Sequence, residues 1–267
     1  MSPTEITGRT RIYGILADPI HHVKTPQVMN ALLRRHGVEG VLVPFHVAPG
    51  GLQDLLGGLR RTGNFGGFIA TVPHKTAMLR LCDRVSSAAE MIGAVNCVRR
   101  EADGSLSGTM LDGIGFIEGL RAAGVEPRGL SAYLAGAGGA GRAIAFALAE
   151  AGVTRLTIAN RTLKRARELA EAVAAAFPAV AVSAGTEGLS DHDLIVNATS
   201  LGLDPADPPP VDVTQLRPGQ VVAEAIMEPE VTPLLEAAKA CGCRVQPGRP
   251  MLDSQIALMA RHMGALS

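Results

Sequence analysis

Residues 136–141 read Gly-Ala-Gly-Gly-Ala-Gly, followed by Arg142 and Ala143. The spacing satisfies G-x-G-x-x-G. In that pattern glycines allow a tight turn and let backbone N–H groups approach a pyrophosphate at the positive end of a helix. Taken alone, the pattern also fits a plain glycine turn. Its setting argues for the ligand: the apolar run LSAYLAG (130–136) precedes it, and an Ala-rich helical stretch (138–152) follows. A second apolar run, TRLTIAN, then ends at Asn160. Strand, glycine loop, helix and strand in succession point to a dinucleotide site built on Gly136, Gly138, Gly139, Ala140 and Gly141.

The residues after the second strand select the dinucleotide. An NAD site places Asp or Glu about 20 residues beyond the glycines to bond the ribose 2′-hydroxyl. Here the segment reads Asn160, Arg161, Thr162, Leu163, Lys164, Arg165. Two arginines four apart share one face of an opening helical turn. Cations at a helix start oppose its dipole, so an anionic ligand explains them better than solvent does. A guanidinium fork matches a phosphate. NADP is therefore the expected cofactor, its 2′-phosphate held by Arg161 and Arg165 with help from the Thr162 hydroxyl.

The first half carries a different set. Thr71-Val72-Pro73-His74-Lys75 ends one apolar run, and Asn96 lies in another, GAVNCVRR (93–100). Asp112 opens the helical pattern DGIGFIEGLRAAG, and Gln255 stands near the start of the last one, MLDSQIALMARHMG (251–264). Each of these polar points sits where a predicted strand ends or a predicted helix begins, as expected of a cleft at strand C-termini. The segment DPIHHVKTP (18–26) belongs with them, with two histidines, a lysine and a threonine between two prolines after the run RIYGIL (11–16).

The elements that must position these residues alternate along the chain. After RIYGIL come a helix over 26–37, a strand GVLVPFHV (40–47), a helix over 50–61, a strand GGFIATV (66–72) and a helix from Pro73. Past the glycine loop come a long helix over 161–177 and three apolar runs at 180–185, 193–199 and 220–226. Such alternation predicts βαβ units and a mostly parallel sheet. The ten residues LDPADPPPVD (203–212) form a surface excursion, too short for a linker between domains.

Composition narrows the class. With 47% hydrophobic and 19% charged residues over 267 positions, the chain is globular and long enough for two modest domains. Its 25 basic residues balance 25 acidic ones, so there is no electrostatic reason to expect nucleic acid or an anionic membrane. No apolar run approaches the roughly 20 residues of a membrane helix, and MSPTEITGRTR lacks a signal core, so a cytoplasmic protein is expected. Cys82, Cys97, Cys241 and Cys243 form no zinc pattern, and no metal is expected. With no Trp and two Tyr, the core must be filled by Ala, Leu and Val, as where helices pack on parallel sheets.

At this point the chain resembles the shikimate dehydrogenase family. The resemblance rests, in order, on D-P-I-x-H-x-K-T-P, T-V-P-H-K, G-A-V-N, D-G-x-G, G-A-G-G-A-G-R-A, N-R-T, N-A-T-S-L-G, T-P-L-L and G-x-x-M-L-x-x-Q. It implies an α/β protein of two domains. Residues 1–111, joined by 248–267, would form the substrate domain, and 112–247 a Rossmann NADP domain, with the C-terminal helix packing back on the first. The activity implied is the interconversion of shikimate and 3-dehydroshikimate by hydride transfer, in aromatic amino acid biosynthesis, by a monomer or homodimer. Lys75 and Asp112 would be the catalytic pair that takes up and returns the hydroxyl proton. Thr25, Thr71, Asn96 and Gln255 would bind substrate. Asn197, Thr199 and Ser200 would border the cofactor, with Gly248 near the nicotinamide carboxamide.

The departures from the family pattern cluster around the substrate. Where the family reads H-S-x-S-P and holds a carboxylate with two serines, this chain has His22-Val23-Lys24-Thr25-Pro26. Ile69 and Leu111 replace polar residues of N-V-T-V-P and N-T-D, and Met227 stands where a tyrosine is usual. Losing one hydrogen bond to a charged group costs about 1.5–3 kcal/mol. The changes therefore argue for weak shikimate binding or for a related ring acid, quinate or aminoshikimate. An NADP-binding sensor of low turnover is a further alternative, against which the retained Lys75 and Asp112 speak. His21, His22 or Lys24 compensates only if its side chain turns inward, and such loop residues are more often solvated.

Overall fold

A computed structural model describes residues 5–21, 23–204 and 206–267. The chain divides into two compact units, residues 1–111 with 255–267, and residues 112–254.

The first unit is laid down as β1 (Arg11–Ala17), α1 (Thr25–Arg35), β2 (Gly40–His46), α2 (Leu52–Arg60), β3 (Phe65–Ala70) and α3 (Lys75–Leu81). It continues through β4 (Arg84–Val85), α4 (Ser87–Ile92), β5 (Cys97–Arg100) and β6 (Leu106–Thr109). Its sheet has the order β2-β1-β3-β5-β6-β4. β1 pairs in parallel with both β2 and β3, whereas β5 runs antiparallel to β3 and β6. All six residues of β3 are buried, the mark of a central strand covered on both faces.

The stretch GAVNCVRR differs from its expected form. Gly93 ends α4 in the left-handed conformation (φ +76°), so the strand starts only at Cys97. Asn96 is thereby left in the connection, beside the end of β3, where the Ala70 N–H bonds the Asn96 carbonyl at 2.8 Å. Antiparallel β5 thus presents its first residues at the same edge where β1 and β3 present their last.

The second unit comprises α5 (Asp112–Ala122), β7 (Ser131–Ala135), α6 (Gly139–Glu150), β8 (Arg155–Ala159), α7 (Leu163–Ala176) and β9 (Ala181–Ala184). Then come β10 (Leu194–Asn197), β11 (Val221–Glu224), α8 (Pro233–Ala240), β12 (Arg244–Gln246) and α9 (Arg249–His262). The sheet order is β12-β11-β10-β7-β8-β9, with every pairing parallel. Strand order reverses between β7 and β10, which makes the crevice beyond Ala135 and Asn197 the topological switch point where ligands of such sheets sit. α6 is buried nearly all round, from Ala143 to Ala149, because alanines let it lie close on the sheet.

The chain leaves the second unit inside α9, between Ser254 and Gln255. The C-terminal part of α9 packs on the first unit: the Cys97 thiol donates to the Met259 carbonyl at 3.7 Å, and His262 Nε2 bonds the Ser107 carbonyl at 3.1 Å. Among the described residues no helix is long and apolar enough to cross a membrane.

Candidate functional site

In the second unit the glycine loop is dictated atom by atom. Gly136 has φ +112°, and a Cβ there would meet the Ala198 carbonyl carbon and oxygen at 2.8 Å, so only glycine makes the turn off β7. A Cβ on Gly141 would lie 2.2 Å from the Gly136 oxygen, so α6 can start this close to the turn only without a side chain. Nothing lies within 4 Å of a Cβ on Gly138, which caps α6 in extended backbone. Tight turn, open approach and close packing are the three roles that a pyrophosphate loop assigns to its glycines.

Asn160 ties this loop to the next: its Oδ1 accepts from the Ala137 N–H at 3.2 Å, and its Nδ2 donates to the Thr162 carbonyl at 3.0 Å. Both ends of the amide therefore serve the protein. Beyond it, Arg161, Thr162 and Arg165 are exposed at the start of α7, whose first turn contains no acid. Thr162 is the N-cap residue, yet its hydroxyl does not cap the helix. Two guanidinium groups and a helix N-terminus make this corner attractive to an anion.

At the end of β10, Asn197 is fully buried. Its Oδ1 accepts from both the backbone N–H and the hydroxyl of Thr199, at 3.0 and 2.7 Å, and its Nδ2 donates to the Leu201 carbonyl at 3.0 Å. The same Nδ2 lies 3.0–3.1 Å from the two Glu224 carboxylate oxygens, and the Thr232 hydroxyl donates to Glu224 at 2.7 Å. Asn197 thus shapes the 197–202 turn from within, while Thr199 is half-buried and Ser200 exposed. Burial raises the Glu224 pKa above the usual carboxylate range, opposed by hydrogen bonds from Thr232, Asn197 and the Ile226 backbone. Neither Glu224 nor Thr232 is among the residues read from sequence as site residues. The only sequence signal for Glu224 is a lone acid in the apolar run QVVAEAI.

In the first unit, the loop after β3 is fastened by backbone bonds. The Thr71 N–H donates to the Leu16 carbonyl at 3.0 Å, the Asp18 N–H to Val72 at 3.1 Å, and the Val95 N–H to Lys75 at 2.9 Å. His74 is 1% exposed, and its Nε2 bonds the Val47 carbonyl at 2.8 Å, anchoring the loop to the segment after β2. His74 is thus the anchor of the T-V-P-H-K motif. Lys75 is the first residue of α3, held half-buried at the sheet edge.

Asn96 is 1% exposed and its Oδ1 accepts from the Leu111 N–H at 2.9 Å, which fixes the orientation of the amide. Gln255, on α9, is buried, and its Oε1 has no hydrogen-bond partner among the described residues. A buried carbonyl left unpaired costs about 1–3 kcal/mol, so a donor supplied by a ligand would remove a standing penalty. Thr25 opens α1, partly buried, with Val23 beside it partly buried and His21 and Lys24 exposed; His22 lies outside the described residues. Ile69 is in the core, paired with Ile15 and Cys97 across the sheet, and Leu111 is buried as well. Asp112, the first residue of α5 in the second unit, is 4% exposed, and an acid in a first turn complements the helix dipole. All four cysteines are free, and burial pushes the Cys82 thiol up to about 12.

Residues 15–98 match the family model described as the shikimate dehydrogenase substrate binding domain, and residues 124–202 the model described as shikimate / quinate 5-dehydrogenase. The chain is 43% identical over 256 residues to the shikimate dehydrogenase (NADP(+)) of Rubrobacter xylanophilus, covering 94% of this chain and 90% of that protein. Among solved structures, shikimate 5-dehydrogenase from Thermus thermophilus, in complex with NADP(H) and shikimate, superposes with a TM-score of 0.87. It is 36% identical, with 96% of this chain and 94% of that one covered. The ligand-free 5-ketofructose reductase of a Gluconobacter strain gives a TM-score of 0.86 at 32% identity, covering 96% of this chain and 93% of that one. Two matched domains and a relative of this identity over nearly the whole length leave one conclusion: the chain belongs to the shikimate dehydrogenase family.

Proposed function

We propose that this protein is an NADP-dependent dehydrogenase that interconverts shikimate and 3-dehydroshikimate. The observation that carries the reading is the gathering of Thr71, Lys75 and Asn96 at one edge of the first sheet, in a chain whose second sheet bears a complete phosphate loop. NADP, when bound, supplies or accepts the hydride. Gly136, Gly138, Gly139, Ala140 and Gly141 would hold its pyrophosphate, and Arg161, Arg165 and Thr162 its 2′-phosphate. Asn160 fastens those two loops to each other. Thr199, Ser200 and Gly248 would line its nicotinamide side.

Lys75 takes the proton of the reacting hydroxyl as the alcohol becomes a ketone, and returns it in the reverse direction. Asp112 would be the other member of the proton-transfer pair. Gln255 Oε1 accepts from a ring hydroxyl. Asn96, its amide oriented by Leu111, and the hydroxyls of Thr71 and Thr25 complete the binding of substrate. We place the protein in the cytoplasm, as a monomer or homodimer. The free cysteines suit a reducing compartment.

A second reading is favoured by one observation. Val23, partly buried at the head of α1, puts hydrocarbon where the family pattern has a polar group for a ring acid. A small polyhydroxy ketone without a carboxylate would suit such a surface, in keeping with the reductase activity named for the Gluconobacter neighbour. Following NADPH absorbance with shikimate, quinate, aminoshikimate and 5-ketofructose, beside a Lys75→Ala control, separates the readings. Turnover fastest on shikimate supports the first, and turnover on 5-ketofructose alone replaces it with the second. No turnover on any of them overturns both.

A further inference from the structure

The carboxylate of Glu224, at the end of β11, is 1% exposed, and its hydrogen-bond partners are the neutral groups of Asn197, Thr232 and the Ile226 backbone. A buried acid held in this way needs a reason, since an apolar residue would sit at that strand end without the desolvation cost. Its partners supply one. On one side, Asn197 Nδ2 donates to both carboxylate oxygens. This fixes which end of the Asn197 amide faces Glu224, and the opposite Oδ1 then receives the Thr199 N–H and hydroxyl. On the other side Glu224 binds the hydroxyl of Thr232, the N-cap of α8, and the Ile226 backbone. Gly248 is packed against that same stretch, where a Cβ would stand 2.1 Å from the Ile226 oxygen.

We infer that Glu224 is a positioning residue for the cofactor: through Asn197 it sets the backbone of the 197–202 turn, beside the switch point, to the shape NADP requires. The inference rests on the cofactor reading given above. The carboxylate acts at one remove, by holding, together with the Leu201 carbonyl, the orientation of one buried amide. In the Glu224→Gln variant the charge and one of the two oxygens facing Asn197 Nδ2 are gone, so the amide is held less firmly. The grip of Asn197 Oδ1 on the Thr199 N–H and hydroxyl loosens with it, and the turn relaxes.

Direct binding of NADPH to the intact chain, followed by fluorescence or calorimetry without substrate, tests this. Glu224→Gln is expected to weaken NADPH roughly tenfold, the loss of about one charge-assisted hydrogen bond. Asn197→Ala removes the amide through which the carboxylate acts, so adding Glu224→Gln to Asn197→Ala is expected to weaken NADPH by no more than about twofold further. Thr232→Val removes the opposite contact but keeps the side-chain volume that packs beside Gly202, so it should lower Tm while leaving NADPH affinity within about twofold. Wild-type affinity in Glu224→Gln overturns the inference. So does a Thr232→Val loss equal to that of Glu224→Gln, which would mark the carboxylate as a support of general stability. If Glu224→Gln does not fold, Asn197→Ala decides, because a folded Asn197→Ala with wild-type NADPH affinity also refutes the inference. Wild type that binds no NADPH refutes the cofactor reading itself, an outcome distinct from all of these.

Discussion

The second unit offers a ligand its backbone, the first its side chains. Around Gly136 and Gly141 a Cβ would stand 2.8 and 2.2 Å from the nearest carbonyl atoms, so each extra atom collides with the chain. At the edge of the first sheet, Thr71 after β3, Lys75 at the start of α3 and Asn96 before β5 stand on segments that hydrogen bonds hold in place. Backbone geometry tolerates almost no substitution, so the phosphate loop is written in the sequence as a fixed glycine pattern. A side chain can be exchanged without moving the loop that carries it, and Val23 and Leu111 depart from the family pattern at such positions, whereas Ile69 lies inside β3 and Met227 in the second unit. The phosphate loop is thus held by sterics, whereas side chains at the edge of the first sheet are free to drift.

The strongest test of that contrast is Lys75→Ala. Loss of a positioned proton-transfer group is expected to lower kcat by about 10²–10⁴-fold. NADPH affinity, measured without substrate, should stay within about twofold, because nothing in the phosphate loop depends on Lys75. A comparable fall in both would mean that the two units do not divide the labour in this way. Arg161→Ala probes the other side, and its effect should be smaller. NADP is expected to weaken by about 10–100-fold, the worth of a charge-assisted bond of roughly 1.5–3 kcal/mol, with NAD nearly unchanged. Equal losses on both dinucleotides would remove the 2′-phosphate from this corner.

The same distinction explains which parts of the fold were legible in sequence. The six parallel strands of the second unit include five that stand out as apolar runs, and the glycine spacing announces the helix that follows. β12 escapes because it is three residues long, RVQ, between Cys243 and Pro247. α8 escapes although Thr232-Pro233 is a helix start, with the Thr232 hydroxyl accepting from the Leu235 N–H. In the first unit β4 has two residues and β6 four, and α4 has six, lengths at which periodicity carries little signal. The antiparallel turn of β5 is invisible for the same reason: Gly93 reads equally well inside a strand as at a helix end. Lys75 and Asp112 could be named from motifs, while Glu224 could not, because its role appears only when Asn197 is brought beside it by sheet pairing.

A milder effect is expected from pH, and it belongs to the second unit. His192 is 2% exposed, its Nδ1 bonded to the Gly188 carbonyl at 2.7 Å and its Nε2 to the Thr157 hydroxyl at 2.9 Å. Burial, the largest cause, lowers its pKa below the ordinary value, with hydrogen bonding to Gly188 opposing. The unfolded chain therefore binds the proton first. Stability is complete above about pH 6.5 and falls as pH drops through that value toward the folded pKa, by at most about 1.4 kcal/mol for each unit. Thermal unfolding between about pH 7.5 and 5 should show the decline, and His192→Gln should flatten it while lowering Tm near neutrality. A slope unchanged in the variant would assign the effect elsewhere, with His262 of the first unit, whose pKa burial also lowers, as the next residue to replace.

The smallest change addresses the drifting side of the comparison. Val23→Ser adds one hydroxyl at the partly buried head of α1, beside Thr25. If the ligand of this edge carries a carboxylate, the new hydroxyl is expected to lower its KM by about two- to tenfold, the net worth of one hydrogen bond. NADPH affinity should not move, since the substitution leaves the second unit untouched. For a polyhydroxy ketone without a carboxylate the same hydroxyl gains no partner and replaces a contact of the Val23 methyl groups, so KM should rise or stay. The sign of the change, read on shikimate and on 5-ketofructose in parallel, states which ligand the apolar position suits. A fall on neither would remove Val23 from the substrate surface and return the specificity question to Met227 and the residues around Gln255.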